Sequence, residues 1–164
     1  MMTAVFVHGD IKHLANNVSF LLPAAFFAAL RLGPSFVISG FVWTGLLGNM
    51  LSLLWHGPLH RSVGASGGVF RVIGLLLGAA FASAVFRSDP KRRRREVIGA
   101  GLALLGLTAF AEHADMMAHL AGCASGVMLG AGFAYLLQKG PSRWWQAASL
   151  VGSATVVVLA FLQA

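Results

Sequence analysis

The hydrophobic residues of this chain are gathered into long runs that short polar segments separate. A transmembrane helix needs about 20 consecutive, mainly apolar residues, and six runs in the sequence approach that length. These runs are residues 14–32, 36–55, 66–86, a shorter 97–111, 116–138 and 144–162. The pattern predicts an all-α fold, a polytopic bundle of transmembrane helices, and leaves no segment long enough for a soluble domain of useful size.

The distribution of charge predicts the topology of this bundle. Only 10% of the residues are charged, compared with about 25% in soluble domains. The net charge of +7 would suit a nucleic-acid ligand, but the basic residues sit at particular ends of the runs: Lys91 to Arg95, Lys139, Arg143 and Arg31. If the runs alternate in direction, these positions share one face, and Lys/Arg enrichment marks the cytoplasmic face. We therefore expect a lipid bilayer and no nucleic acid as the partner of this charge.

Few residues could form a disulfide or hold a metal ion. The single cysteine, Cys123, excludes an internal disulfide and any multi-cysteine metal site. The six histidines form no HExxH motif. His56 and His60 are four residues apart, but the Gly57-Pro58 pair between them breaks any helix that would present them together. We expect no metal and no cofactor.

Two polar residues stand inside hydrophobic runs among small residues, Ser66 in the segment GASGG and His119 in the segment AHLAG. Polar side chains at membrane depth are costly and usually mark function. With the basic loops inside, the third and fifth runs both begin outside, so Ser66 and His119 lie near the same membrane face. A hydroxyl within reach of an imidazole can become an activated nucleophile. The pair predicts hydrolysis inside a bilayer, at a site that opens to the outside.

Glycine spacing predicts that the helices bearing these two residues cross closely. Small residues repeated at helical spacing let two backbones approach each other. The glycines that form such ridges are Gly67, Gly74 and Gly78 in the third run and Gly122, Gly126 and Gly130 in the fifth.

The start of the first run offers hydrogen-bond donors at the same depth. His13 and Asn17 are four residues apart and share one helix face, and His8 lies five residues upstream. An imidazole and an amide projecting together could stabilise an oxyanion. The alternative is that both side chains hydrogen-bond loop backbone or a neighbouring helix.

Arg71 is a further charged residue at membrane depth. It lies about 140° around the helix from Ser66 at roughly 100° per residue, too far to join a dyad. An arginine in this position needs a partner or water, and Asn49, Glu112 and Asp115 are candidates by composition. We expect a structural pairing.

Together these segments resemble the rhomboid intramembrane serine proteases. Three motifs appear in that family's order: His8…His13-xxx-Asn17, Gly64-Ala65-Ser66-Gly67 and Ala118-His119-xx-Gly122-xxx-Gly126. The resemblance covers about residues 8–135.

By this resemblance, Ser66 would be the nucleophile and His119 the general base of a dyad without a third carboxylate. The oxyanion hole would consist of the Ser66 backbone N–H and the side chains of His13 and Asn17. The implied reaction is cleavage of a peptide bond in or beside a transmembrane segment of another membrane protein. The residues with implied supporting roles are His8, Gly64, Gly67, Phe70, Gly122 and Gly126. Of these, Phe70 stands where many members have a tyrosine that packs on the catalytic histidine.

The resemblance also implies where the rhomboid core ends in this chain and which alternative function it could have. Residues 1–138 would hold five of the family's six core helices, since Met1–Val7 is too short to span a bilayer before His8. The chain would then be a fragment, have a late start or be a shortened member. Residues 139–164 would add a cytoplasmic loop and an extra transmembrane helix. The alternative function is a catalytically inactive rhomboid-like protein that binds transmembrane clients. Either form is expected in the plasma or inner membrane.

Overall fold

The described part of the chain is almost entirely helical. The computed structural model describes residues 11–56, 66–87, 91, 95, 99, 101–103, 116–140 and 143–162. The helices are α1 (Ile11–Leu32), α2 (Pro34–His56), α3 (Ser66–Arg87), α4 (Met116–Gln138) and α5 (Arg143–Leu162). No strand occurs among these residues, and the predicted all-α fold is confirmed. Each helix corresponds to one predicted hydrophobic run, whereas the run 97–111 lies mostly outside the described residues.

A tight turn at Gly33 reverses the chain between α1 and α2. Gly33 adopts a φ of 86°, a left-handed conformation that glycine reaches without steric cost. Its N–H donates a hydrogen bond to the carbonyl of Ala29 at 2.8 Å, which satisfies one of the last carbonyls of α1. Pro34 then begins α2, where its fixed φ suits the first helical position. The two helices therefore form an antiparallel pair.

Helix α1 runs in the same direction as α3. Phe20, midway along α1, packs against a buried cluster that contains Val69 and Phe70, near the start of α3. Near their ends, Leu32 belongs to a second cluster with Ala82. A residue of α1 thus lies at the same depth as the residue of α3 that follows it by about 49 or 50 positions in the sequence.

Helix α2 runs against α3. Gly40, early in α2, lies beside Leu75, while Gly48, two turns later, lies beside Arg71. At the end of the bundle where α2 begins, Phe36 stacks on Phe133 of α4 with ring centroids 4.6 Å apart. Helix α5 packs against α2.

The outer surface of the bundle is apolar. Large hydrophobic side chains such as Leu22, Phe26 and Leu30 of α1 are exposed, which is the arrangement that lipid favours. Several buried hydroxyls donate to carbonyls of their own helices, as Thr44 does to the carbonyl of Gly40 at 2.6 Å. Among the described residues, two helical segments are long and apolar enough to cross a membrane. These segments are Leu14–Leu32 and His119–Gln138, and Pro34–Gly48 and Gly67–Ser83 are shorter apolar helices.

Candidate active site

The backbones of α3 and α4 touch along their glycine ridges. A Cβ atom on Gly126 would lie 2.9 Å from both the Cα of Gly74 and the backbone N of Leu75. A Cβ on Gly130 would lie 2.8 Å from the Cα of Leu75. Only hydrogen fits at these positions without a shift of the backbone. The close crossing that the glycine spacing predicts is present in the structure.

The register between these helices sets the height of His119 relative to Ser66. A Cβ on Gly122 would lie 3.2 Å from the carbonyl oxygen of Gly67, and further down, a Cβ on Gly78 would lie 2.8 Å from the backbone N of Ala131. The helices are therefore parallel and begin at the same end. Ser66 precedes Gly67 by one residue and His119 precedes Gly122 by three. At 1.5 Å per residue, their Cα atoms differ by only about 3 Å along the helix axes.

The imidazole of His119 lies against α3. His119 is in the first turn of α4 and is only 3% exposed. Its ring stacks on the ring of Phe70, with centroids 4.2 Å apart and 9° between the ring planes. Phe70 follows Ser66 by four residues, so the two residues are about 40° apart around α3. His119 thus contacts the face of α3 on which Ser66 lies.

Ser66 is the first residue of α3, and its side chain is outside the described part of the structure. The first N–H groups of a helix have no acceptor within that helix, and the helix dipole adds partial positive charge there. The backbone N–H of Ser66 belongs to this set. This end of α3 can therefore donate hydrogen bonds to a developing oxyanion.

Asn17 lies at the depth of Ser66. It is one turn before Phe20 on α1, and Ser66 is about one turn before Val69, which packs in the same cluster as Phe20. Asn17 is 5% exposed, and its Nδ2 is buried without a hydrogen-bond partner in the described structure. A buried, unsatisfied amide costs about 1–3 kcal/mol, which is a cost typical of functional positions.

The other predicted site residues are placed only in part. His13 lies in the first turn of α1, but its side chain is not among those described. His8 and Gly64 lie outside the described residues. Gly67 and Gly122 lie at the closest approach of the two helix starts. No group of three His, Cys, Asp or Glu side chains in the described part of the chain could hold a metal ion.

The surroundings of Arg71 include residues that sequence reasoning missed. Its predicted partners are not tested, since Glu112, Asp115 and the Asn49 side chain fall outside the description. Among the described residues, two glycines of α2, Gly45 and Gly48, lie against Arg71. Their spacing of three residues puts both glycines on one side of α2, and this pattern in the sequence could have indicated a close contact there.

A comparison with protein families supports this resemblance. The family model described as the Rhomboid domain matches residues 1–136. The chain belongs to the rhomboid family. Rhomboids are integral membrane proteins, and the chain is therefore one as well. The family resemblance predicted from the three motifs is confirmed.

Curated rhomboid relatives share limited identity with the chain. "Rhomboid-like protease 3" of Toxoplasma gondii is 28% identical over 133 residues, which cover 79% of this chain and 49% of the relative. "RHOMBOID-like protein 1" of Arabidopsis thaliana is 29% identical over 145 residues, covering 84% of this chain and 34% of the relative. "RHOMBOID-like protein 4" of the same plant is 30% identical over 135 residues, covering 79% and 32%. This rhomboid thus spans about half or less of the relatives' length. No solved structure matches it significantly.

Proposed function

We propose that this rhomboid is an intramembrane serine endopeptidase with a Ser66–His119 dyad. The observation that supports the proposal most is the parallel contact of α3 and α4, which brings the two residues to nearly one height. The Phe70 stack adds a second constraint, because it holds the imidazole over the face of α3 that includes Ser66. A relative bears the name of a protease, which agrees with this reading.

In the proposed reaction, the neutral imidazole of His119 accepts the proton of Ser66 Oγ as that oxygen attacks the scissile carbonyl carbon. The negative charge that forms on the carbonyl oxygen is stabilised by the Ser66 backbone N–H and the side chains of His13 and Asn17. His119 then donates its proton to the departing amine nitrogen, which leaves an acyl-enzyme. In the second half, water attacks this ester as His119 accepts its proton. His119 then donates that proton to the departing Ser66 Oγ, and the new carboxylate is released.

The substrate class follows from where the site lies. A transmembrane helix keeps its carbonyls hydrogen-bonded internally, since lipid offers no alternative partner. The peptide must therefore unwind locally before Ser66 can reach a carbonyl carbon. We expect cleavage of transmembrane segments that unwind easily, with a small residue at the cut site as the resemblance implies.

The proposed orientation places the site toward the outside of the plasma or inner membrane. Ser66 and His119 stand where α3 and α4 begin, while Arg31 and Lys139 stand where α1 and α4 end. These basic residues lie at the opposite end of the bundle from the dyad, and basic residues favour the cytoplasmic face. Hydrolytic water would then enter from the outer side.

The proposed division of the chain keeps residues 1–138 as the rhomboid core and assigns residues 139–164 to an added loop and helix. The geometry at α5 supports this division, since α5 packs on α2 and its Gln146 lies beside Gly33 in the turn between α1 and α2. Helix α5 is thus attached at the periphery, away from the proposed dyad.

The proposal is tested with the purified protein reconstituted with a transmembrane substrate. Ser66→Ala and His119→Ala should each lower kcat by several orders of magnitude, because dyad members act as a unit. Thermal unfolding serves as the control for folding in both variants. Undiminished cleavage by Ser66→Ala would exclude the dyad. Capture of a transmembrane client by the wild-type protein without any cleavage product would favour the inactive, client-binding alternative.

A further inference from the structure

Arg71 is a buried charged residue that the proposed reaction does not use. It is 4% exposed, and among the residues whose burial is described it is the only buried Lys, Arg, Asp or Glu. Its neighbours along α3, Phe70 and Val72, are buried and apolar. An arginine inside a membrane protein is costly and usually has a function.

Glycines from three helices make room for this side chain. A Cβ on Gly122 of α4 would lie 3.1 Å from the Arg71 Cγ, so the stem of the arginine presses on the α4 backbone. On α2, a Cβ on Gly45 would lie 3.2 Å from Nη1, and a Cβ on Gly48 would lie 3.5 Å from Nε. Within α3, a Cβ on Gly67 would lie 3.7 Å from Nη2. The Arg71 side chain thus fills the space that these glycines leave open where α2, α3 and α4 meet.

Two of these glycines adjoin the proposed dyad. Gly67 directly follows Ser66, and Gly122 lies one helical turn after His119. The preceding residue, Phe70, contacts the imidazole of His119 directly. Residues 70 and 71 therefore touch the first turns of α4 at two places, one on the imidazole and one on the backbone below it.

We infer that Arg71 is a positioning residue that fixes the start of α4, which bears His119, relative to the start of α3, which bears Ser66. The inference rests on the proposed function. Arg71 acts through Gly122, which its stem contacts, and the guanidinium between Gly45 and Gly48 keeps the stem in place. Loss of the stem leaves a void beside Gly122, so that the start of α4 can slide or tilt along its contact with α3 and shift the imidazole relative to Ser66. A displacement of about 1 Å at reacting groups can cost about 100-fold in rate.

The test compares Arg71→Ala with Arg71→Lys in the reconstituted full chain. Lysine retains the aliphatic part of the side chain but lacks the planar guanidinium group. Arg71→Ala should lower kcat about 10- to 100-fold, as expected for a displaced reacting group, with KM changed by no more than about twofold. Arg71→Lys should recover most of the lost rate. Wild-type kcat in Arg71→Ala, or a kcat in Arg71→Lys as low as in Arg71→Ala, would overturn the inference.

Two further variants separate positioning from general destabilisation. Val72→Ala removes a buried side chain at the next position, within the cluster that packs α1 on α3. It should lower the midpoint of thermal unfolding but keep kcat within about twofold of wild type once normalised to folded protein. Gly132→Ala, on an open face of α4, should leave kcat unchanged and should not lower the unfolding midpoint. Equal losses of kcat in Val72→Ala and Arg71→Ala would show that Arg71 only stabilises the fold, which would contradict a positioning role. If the wild-type protein shows no Ser66-dependent cleavage, the proposed function is wrong. If it does cleave but Arg71→Ala cleaves equally well, only the inference about Arg71 is wrong.

Discussion

The ring of Phe70 lies parallel to the imidazole of His119, with their centroids 4.2 Å apart. Both side chains are buried, so the aromatic face limits how far the imidazole can rotate or tilt. Because Phe70 is one turn after Ser66, the ring that contacts the imidazole stands on the face of α3 to which Ser66 belongs. Stacking is thus a direct physical link between the two proposed catalytic positions.

Removal of the Phe70 ring should lower kcat per folded molecule in addition to stability, since a buried Phe→Ala change itself costs about 3–5 kcal/mol. Phe70→Ala leaves the imidazole without a supporting face, and we expect kcat to fall about 10-fold or more, since small displacements at reacting groups are costly. Phe70→Tyr retains the ring and should stay within a few-fold of wild type. Steady-state cleavage of a transmembrane substrate measures both. A Phe70→Ala protein with wild-type kcat would show that the stack does not position the base.

Substitution on the α4 ridge should destabilise the fold in a position-specific way. A Cβ on Gly126 would meet the backbone at Gly74 and Leu75, so Gly126→Ala must separate α3 from α4, at a cost of about 1–3 kcal/mol. Gly132→Ala on the same helix meets nothing within 4 Å and serves as the matched control. Thermal unfolding in detergent should show a lower midpoint for the first variant only. Equal midpoints would contradict the close crossing.

Asn17 offers a test between its two open interpretations. If its amide donates to the oxyanion, Asn17→Ala should lower kcat by about 100- to 1,000-fold, the usual cost of a lost oxyanion donor. Because Nδ2 has no partner in the described structure, the variant should unfold at or above the wild-type temperature. Cleavage kinetics and thermal unfolding are measured together. A lower unfolding temperature with unchanged kcat would assign Asn17 to a structural hydrogen bond instead.

The exposed apolar face of α1 should tolerate a charged residue only near the end of the helix, where the side chain can reach water. Phe26 is 60% exposed in the middle of the candidate span Leu14–Leu32, where an arginine costs about 2.5–3.5 kcal/mol in insertion experiments. Phe26→Arg should therefore lower the fraction of protein inserted into membranes. Ile11→Arg, at the first residue of α1, should not. Carbonate extraction of membranes gives both fractions, and equal insertion would show that Phe26 does not face lipid.

Much of this architecture could be predicted from the order of hydrophobic runs. Helix α4, Met116–Gln138, coincides with its run, and the other helices differ from theirs by at most three residues at either end. The differences arise where local chemistry sets the boundary, as at Gly33 and Pro34, which end α1 and begin α2. The contact of α3 with α4 could also be predicted, because glycines mark the faces that meet.

The position of α2 could not be predicted in the same way. Its sequence is apolar around its whole circumference, so no stripe shows which side faces the bundle. That rotation decides that Gly45 and Gly48 face Arg71. The sequence therefore predicted a structural partner for Arg71 from composition alone and missed the glycines around it. The Phe70–His119 stack depends likewise on side-chain placement across two helices.

The most direct measurement of the central claim is covalent labelling of Ser66 by a fluorophosphonate probe in intact membranes. The reaction requires an activated hydroxyl and does not depend on knowing the substrate. We predict labelling of the wild-type chain at Ser66, with labelling lost in both Ser66→Ala and His119→Ala while both variants stay folded. Labelling of Ser66 at an undiminished rate in His119→Ala, or none in the wild type, would contradict a hydroxyl activated by that imidazole.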